Sequence, residues 1–129
     1  MKWFILLIMI FCHIVDDYYL QGWLASAKQK KWWEENAPNS LYKFDYVIAL
    51  IEHAFSWSFM SQLPIMIYLI YNQMFEYTPM FLVLFIMNLA IHAFVDDWKA
   101  NKLRINLIED QISHIGQIVI TWAIWSMVI

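Results

Sequence analysis

All four histidines of the chain, His13, His53, His92 and His114, fall inside long apolar runs, and three of them have an aspartate four residues away. The pairs are His13 with Asp17, His92 with Asp96, and Asp110 with His114. On an α-helix a four-residue step returns a side chain to the same face about 6 Å along the axis. Each pair therefore presents an imidazole nitrogen beside a carboxylate oxygen, as two ligands of one cation or as a ligand and the group that orients it. Imidazole and carboxylate donors without thiolate favour zinc, with manganese or iron as alternatives. The number of candidate ligands leaves room for a second ion. A divalent ion with an open position lowers the pKa of its water and polarises a carbonyl or phosphoryl oxygen, which is hydrolytic chemistry.

The elements that must position these groups are helices. The chain has 129 residues, 62% of them hydrophobic and 19% aromatic, with only two glycines, which points to one domain far more apolar than a soluble protein. Crossing about 30 Å of hydrocarbon takes roughly 20 helical residues. Stretches at approximately 3–27, 44–73, 79–99 and 107–129 meet that length. The expected fold is all-α, a four-helix polytopic transmembrane bundle in a single domain. A soluble bundle would need polar outer faces, and a segment such as MFLVLFIMNLAI has none. Residues 1–27 read as a retained first span, because two aspartates separate the apolar run from the small-residue triplet Ala25-Ser26-Ala27. Cys12 is the single cysteine, so no internal disulfide forms.

Between the spans, SAKQKKWWEENAPNS reads as a charged loop with Trp32 and Trp33 at headgroup level. Ser40 is expected to cap the second helix, Thr78 with Pro79 to open the third, and Asn106 with Glu109 to form a capping box on the fourth. Pro64 should kink the second helix without ending it. Seven of the eight basic residues lie in the first and third loops, and only Lys2 lies at the N-terminus. The positive-inside rule then places those loops in the cytoplasm and both termini outside.

Each span carries one polar stripe: His13, Asp17 and Gln21; His53 with Ser56; Asn88, His92, Asp96 and Lys99; Asp110, His114, Gln117 and Thr121. The histidines and aspartates sit late in helices one and three and early in two and four, so all four stripes meet in the cytoplasmic half. The proposed metal ligands are His13, Asp17, His53, His92, Asp96, Asp110 and His114, with an unligated Asp17 or Asp96 as general base. Gln21 and Gln111 are expected to orient ligands or substrate. Lys99 is expected to snorkel to the interface or meet an anionic headgroup. Asp16, Asp97 and Glu52 read as orienting or loop-facing residues, and Asp45 as a solvated boundary residue. A dry His/Asp network is the competing expectation, but it leaves several carboxylates uncompensated, and a divalent cation is the expected source of neutrality.

The motifs HIVDDYYLQ, an early histidine in the second helix, HAFVDDWK and DQISH resemble the small bacterial and phage membrane proteins known as domain of unknown function 3307. The resemblance covers nearly the whole chain. It implies a compact domain of the bacterial inner membrane, and similar membrane families carry the label of metal-dependent hydrolases. The doubled aspartates, Asp16-Asp17 and Asp96-Asp97, depart from the family's single acidic residue, and spacing from the histidines selects Asp17 and Asp96.

The leading expectation is thus a membrane metal-dependent hydrolase acting on a lipid-like ester or phosphoester. Alternatives are an ion or proton transporter subunit, which needs polar residues through the outer half, and a phage interaction protein that uses the first loop against a host partner. Membrane lipids are the expected partners, a homo-oligomer is favoured, and nothing in the charge pattern suits nucleic acid.

Overall fold

The apolar runs fold as helices because each repeats apolar residues around most of its circumference and interrupts them on one face only. The computed structural model describes residues 1–129 and contains helices and turns without a strand. The helices are α1 (Lys2–Val15), α2 (Leu24–Ala27), α3 (Lys30–Asn36), α4 (Asp45–Tyr71), α5 (Thr78–Ala100) and α6 (Leu107–Trp125). The four long ones, α1, α4, α5 and α6, form an up-and-down ring in which each touches the two beside it. The closing pair is antiparallel: Lys2 Nζ donates to the Ser126 carbonyl at 2.7 Å and Trp122 Nε1 to the Lys2 carbonyl at 2.9 Å.

The first helix departs from the expected 3–27 span. After Val15 it widens into a π-helical turn over Asp16–Leu20, closed by the Gln21 N–H on the Asp16 carbonyl at 3.1 Å. Both Asp16 and Asp17 of this turn lie in the interior. The Gln21 amide caps the same turn by donating to the Asp17 carbonyl. Gly22, at φ +50°, then reverses the chain into α2. The charged loop expected after it is partly helical: α3 carries the exposed pairs Lys30–Glu34 and Lys31–Glu35, each at 3.6 Å and four residues apart.

Three joints differ in detail from expectation. Ser40 does not cap α4; Asn39 accepts from the Leu41 N–H at 2.9 Å and opens a short 3₁₀ turn, after which α4 starts at Asp45 with no side-chain cap. Thr78 is already the first residue of α5, its hydroxyl donating to the Phe75 carbonyl at 2.7 Å. The last helix, expected over 107–129, stops at Trp125. The Asn106–Glu109 capping box is present in both directions, at 3.0 and 2.9 Å, and α4 continues through Pro64.

Two helical stretches, Lys2–Leu20 and Phe75–Ala100, are long and apolar enough to cross a membrane. An apolar cluster of Ile5, Met9, Trp57, Ile65, Leu69, Leu84, Ile118 and Trp125 fills the end of the ring near the chain termini. The opposite end, which carries the basic loops, holds a polar interior. Of 28 buried residues in all, 14 are polar or charged, an inversion of the usual apolar core.

The capping geometry makes a differential prediction. Asn106→Ala should lower stability by about 1 kcal/mol, read as the thermal midpoint by circular dichroism in detergent. Ser40→Ala should leave the midpoint in place, and an equal loss in both variants would contradict the assigned helix starts.

Candidate metal centre

All four long helices deliver ionisable side chains to one level. Asp17 comes from the π-helical turn after α1, His53 from α4, His92 and Asp96 from α5, and Asp110 and His114 from α6. All six are buried. They form three interlocking triads, Asp17–His53–His92, His92–Asp96–His114 and Asp17–Asp110–His114, and within each the donor atoms lie within 4.8 Å of one another. These groups can hold a metal ion.

Asp96 is the hub. Its Oδ2 lies 3.2 Å from His53 Nε2, and its Oδ1 lies 3.3 Å from His114 Nε2 and 3.7 Å from His92 Nε2. Asp17 Oδ1 is 3.4 Å from His53 Nε2, Asp110 Oδ1 is 3.2 Å from His114 Nε2, and His53 and His92 approach Nε2 to Nε2 at 3.2 Å. A tetrahedral zinc with bonds of about 2.0–2.1 Å sets its ligand atoms roughly 3.3–3.4 Å apart. The observed separations cluster around that edge length. Moreover, His114 Nε2 and Asp110 Oδ1 are buried without any hydrogen-bond partner although they face each other. Orphaned donors at ligand spacing are what a cation would satisfy, so the residues fit the group.

The imidazole protons restrict how many histidines ligate at once. His92 Nδ1 and His114 Nδ1 are 3.1 Å apart, so only one of them carries the shared proton. If His114 donates from Nδ1, its Nε2 is free to ligate and His92 keeps its proton on Nε2; the reverse assignment frees His92 instead. One of this pair is therefore a ligand while the other orients it. Trp57 stacks on His92 with ring centroids 4.2 Å apart and fixes that plane.

His13 lies outside the three triads. Trp57 Nε1 donates to its Nδ1 at 2.7 Å, so its proton sits on Nε2 and is given to Gln111 Oε1 at 3.1 Å. Gln111 in turn donates to Asp17 Oδ2 at 2.8 Å and to Asp110 Oδ2 at 3.1 Å. Both ring nitrogens of His13 are thus occupied in orienting a glutamine that holds two carboxylates. Gln21 does not reach the cluster and serves the π-helical turn. Of the doubled aspartates, Asp17 and Asp96 face the site; Asp16 accepts from the Ser56 hydroxyl at 2.6 Å, and Asp97 from Asn101 and Lys102 at 2.9 and 3.0 Å. Glu52 is exposed and Asp45 is half-buried.

The expectation that a divalent cation is the one source of neutrality is corrected by two lysines. Lys28 Nζ reaches Asp96 Oδ2, and Lys99 Nζ reaches Asp110 Oδ2, both at 2.6 Å. Lys99 therefore turns inward instead of snorkelling. Lys28 was hidden in the sequence because it belongs to the first loop. Gly22 folds it back, and Asn101 staples it by accepting from the Lys30 N–H at 2.7 Å and donating to the Lys28 carbonyl at 3.0 Å. The Gly22 break was the available signal for this return. Neither a family model nor a curated protein nor a solved structure matches the chain.

The geometry separates ligands from supports. Asp96→Ala should abolish stoichiometric zinc retention, measured by elemental analysis of detergent-purified protein. His13→Ala, acting through Gln111, should weaken affinity by only about 10- to 100-fold. Equal loss in the two variants would place His13 among the ligands.

Proposed function

We propose that the chain is a four-span membrane protein whose His/Asp centre binds zinc, with manganese or iron as substitutes, and hydrolyses a lipid-like ester or phosphoester. The observation that carries the reading is six buried imidazole and carboxylate side chains converging at ligand spacing inside an apolar jacket. In α4 and α6 the polar residues that dilute hydropathy, such as His53, Gln62, Asp110 and His114, are buried. Their outward residues, Ile51, Phe55, Ile67, Ile112 and Ile120 among them, are apolar and exposed. Four polar-inside helices are the arrangement lipid demands of charged spans. The basic first and third loops then face the cytoplasm and both termini lie outside. The resemblance to domain of unknown function 3307 points to the bacterial inner membrane. Lipids are the immediate partners, and the apolar outer faces also suit a second copy of the chain.

In this reading Asp96, Asp110, His53 and either His92 or His114 hold the ion. A divalent ion held there supplies Lewis acidity and an activated water at neutral pH. The chain does the rest. Asp17, left unligated, accepts a proton from the attacking water. As the bond from water oxygen to phosphorus or carbonyl carbon forms and the ester bond breaks, that proton passes to the departing alkoxide. Gln111 holds Asp17 and Asp110 in register through its amide.

A transporter would need a polar route to the far side. The apolar cluster that includes Ile5, Ile65, Leu69, Leu84 and Trp125 occupies that end, which supports a site open on one side only. The first-loop tryptophans, required as a recognition surface by an interaction protein, pack edge to face with Trp23: the ring centroids of Trp23, Trp32 and Trp33 lie 5.0–5.9 Å apart. That packing supports an interfacial anchor.

Zinc-loaded protein incubated with bacterial lipid extract should release a lyso-lipid, alcohol or phosphate product detectable by mass spectrometry. Asp17→Asn should lower the rate by at least about 100-fold, within the range for a lost general base. Absence of product with zinc, manganese and iron alike, from protein that retains metal, would refute hydrolysis and leave a structural metal site.

A further inference from the structure

We propose that the substrate is a membrane lipid with a terminal phosphate, admitted sideways through the groove between the first and last helices; this rests on the metal-centre reading above. A groove of about 460 Å³ is lined by Tyr18, Leu107, Ile108, Gln111, Ile112 and Ile115. Apart from the tyrosine hydroxyl, its one polar side chain is Gln111. That amide is also the group bonded to Asp17 and Asp110, so a single side chain separates the groove from the donor cluster. The other large grooves do not reach it. The one between α4 and α5, about 400 Å³, ends at Asp97, which is held by Asn101 and Lys102. The one between α1 and α4, about 560 Å³, touches none of the six donors.

An acyl chain gains little by entering this groove, because it leaves one hydrocarbon surrounding for another. Affinity must come from the headgroup, and the groove's part is to bring that headgroup to Gln111. There Asp17, Asp96 and Asp110 face two lysines, and a divalent ion held among them would turn one net negative charge into one net positive charge, which suits an anion. Lys99 Nζ and the Gln111 amide share Asp110 Oδ2, at 2.6 and 3.1 Å, which places an ammonium group beside the inner end of the groove, and Lys28 stands deeper, on Asp96 Oδ2 at 2.6 Å. Each uses one N–H on its carboxylate and has two left. A terminal phosphate offers three oxygens to these donors and to a cation between them, where an ester carbonyl offers one. A phosphate brought along the groove meets the Gln111 amide at its inner end, beside Lys99, which donates to the same Asp110 oxygen.

The test uses the zinc-loaded 129-residue chain in phosphatidylcholine vesicles and electron paramagnetic resonance of spin-labelled lipids. The readout is the association constant of phosphatidic acid relative to phosphatidylcholine, with zinc content measured on the same samples. The parent should prefer phosphatidic acid by about tenfold, equivalent to about 1.4 kcal/mol. Ile112→Trp fills an exposed position of the groove and should bring the ratio near one while zinc and inorganic phosphate binding persist. Ile86→Trp, equally exposed on α5, should leave the ratio unchanged. Lys99→Gln should weaken both phosphatidic acid and inorganic phosphate. Full zinc with no phosphatidic acid preference in the parent would overturn the phosphate-lipid assignment alone. An unchanged ratio in Ile112→Trp would overturn the lateral route, and phosphate that binds only from solution would assign a soluble substrate. Parent protein without zinc would overturn the metal reading and this inference with it.

Discussion

Three carboxylates buried at one level, Asp17, Asp96 and Asp110, are the constraint on which the rest of the structure depends. An isolated ionised carboxylate in an apolar interior costs several kcal/mol, so each must be met by hydrogen bonds and positive charge. Asp96 meets this demand with four partners, Lys28, His53, His92 and His114, from the first loop and from α4, α5 and α6. Satisfying them fixes the relative rotation of α4, α5 and α6 and draws the first loop back onto the bundle end. The π-helical turn is a second consequence, because it brings Asp17 to His53 while Asp16 still finds Ser56. Removing one partner of such a buried pair strands the other charge and typically costs about 3–5 kcal/mol. The network therefore specifies one helix arrangement strongly even where it adds little net stability.

Much of this was legible in the chain, because helical period converts spacing into direction. The pairs His92–Asp96 and Asp110–His114 needed only the four-residue rule, and the alternating direction of the helices put them at the same level as His53. The capping box at Asn106 was likewise local chemistry. What could not be read depends on contacts between elements. His13 sits at the right spacing from Asp17, yet Trp57 takes its Nδ1 and turns it into a support. Trp57 itself looked like one more apolar residue in α4, since nothing in a linear pattern says that its ring will lie flat on His92. Lys28 lay in a loop whose return depends on one glycine and on Asn101 beyond α5. Ser40 failed as a cap because Asn39, one residue earlier, captured the turn first.

The inversion of polarity between interior and exterior also orders the site along its axis. Next to the ionic cluster, on the side of the chain termini, comes a neutral layer. Asn88 donates to Thr121 Oγ1 at 2.8 Å, and Gln117 donates to the Asn88 carbonyl at 3.2 Å, with Ser58, Ser61 and Gln62 buried on α4. Beyond these residues the apolar side chains Ile65, Leu69, Leu84 and Trp125 close the ring. Charge thus gives way to amide and hydroxyl dipoles and then to hydrocarbon. A conducting path would hold polarity constant along its length, since each dehydrated stretch raises the barrier to an ion. Here polarity falls steadily toward the termini. The same gradient strengthens the electrostatics of the cluster, because charges backed by a low-dielectric wall interact more strongly than charges facing water. The six donors are thus buried between the apolar cluster on one side and the basic loops on the other.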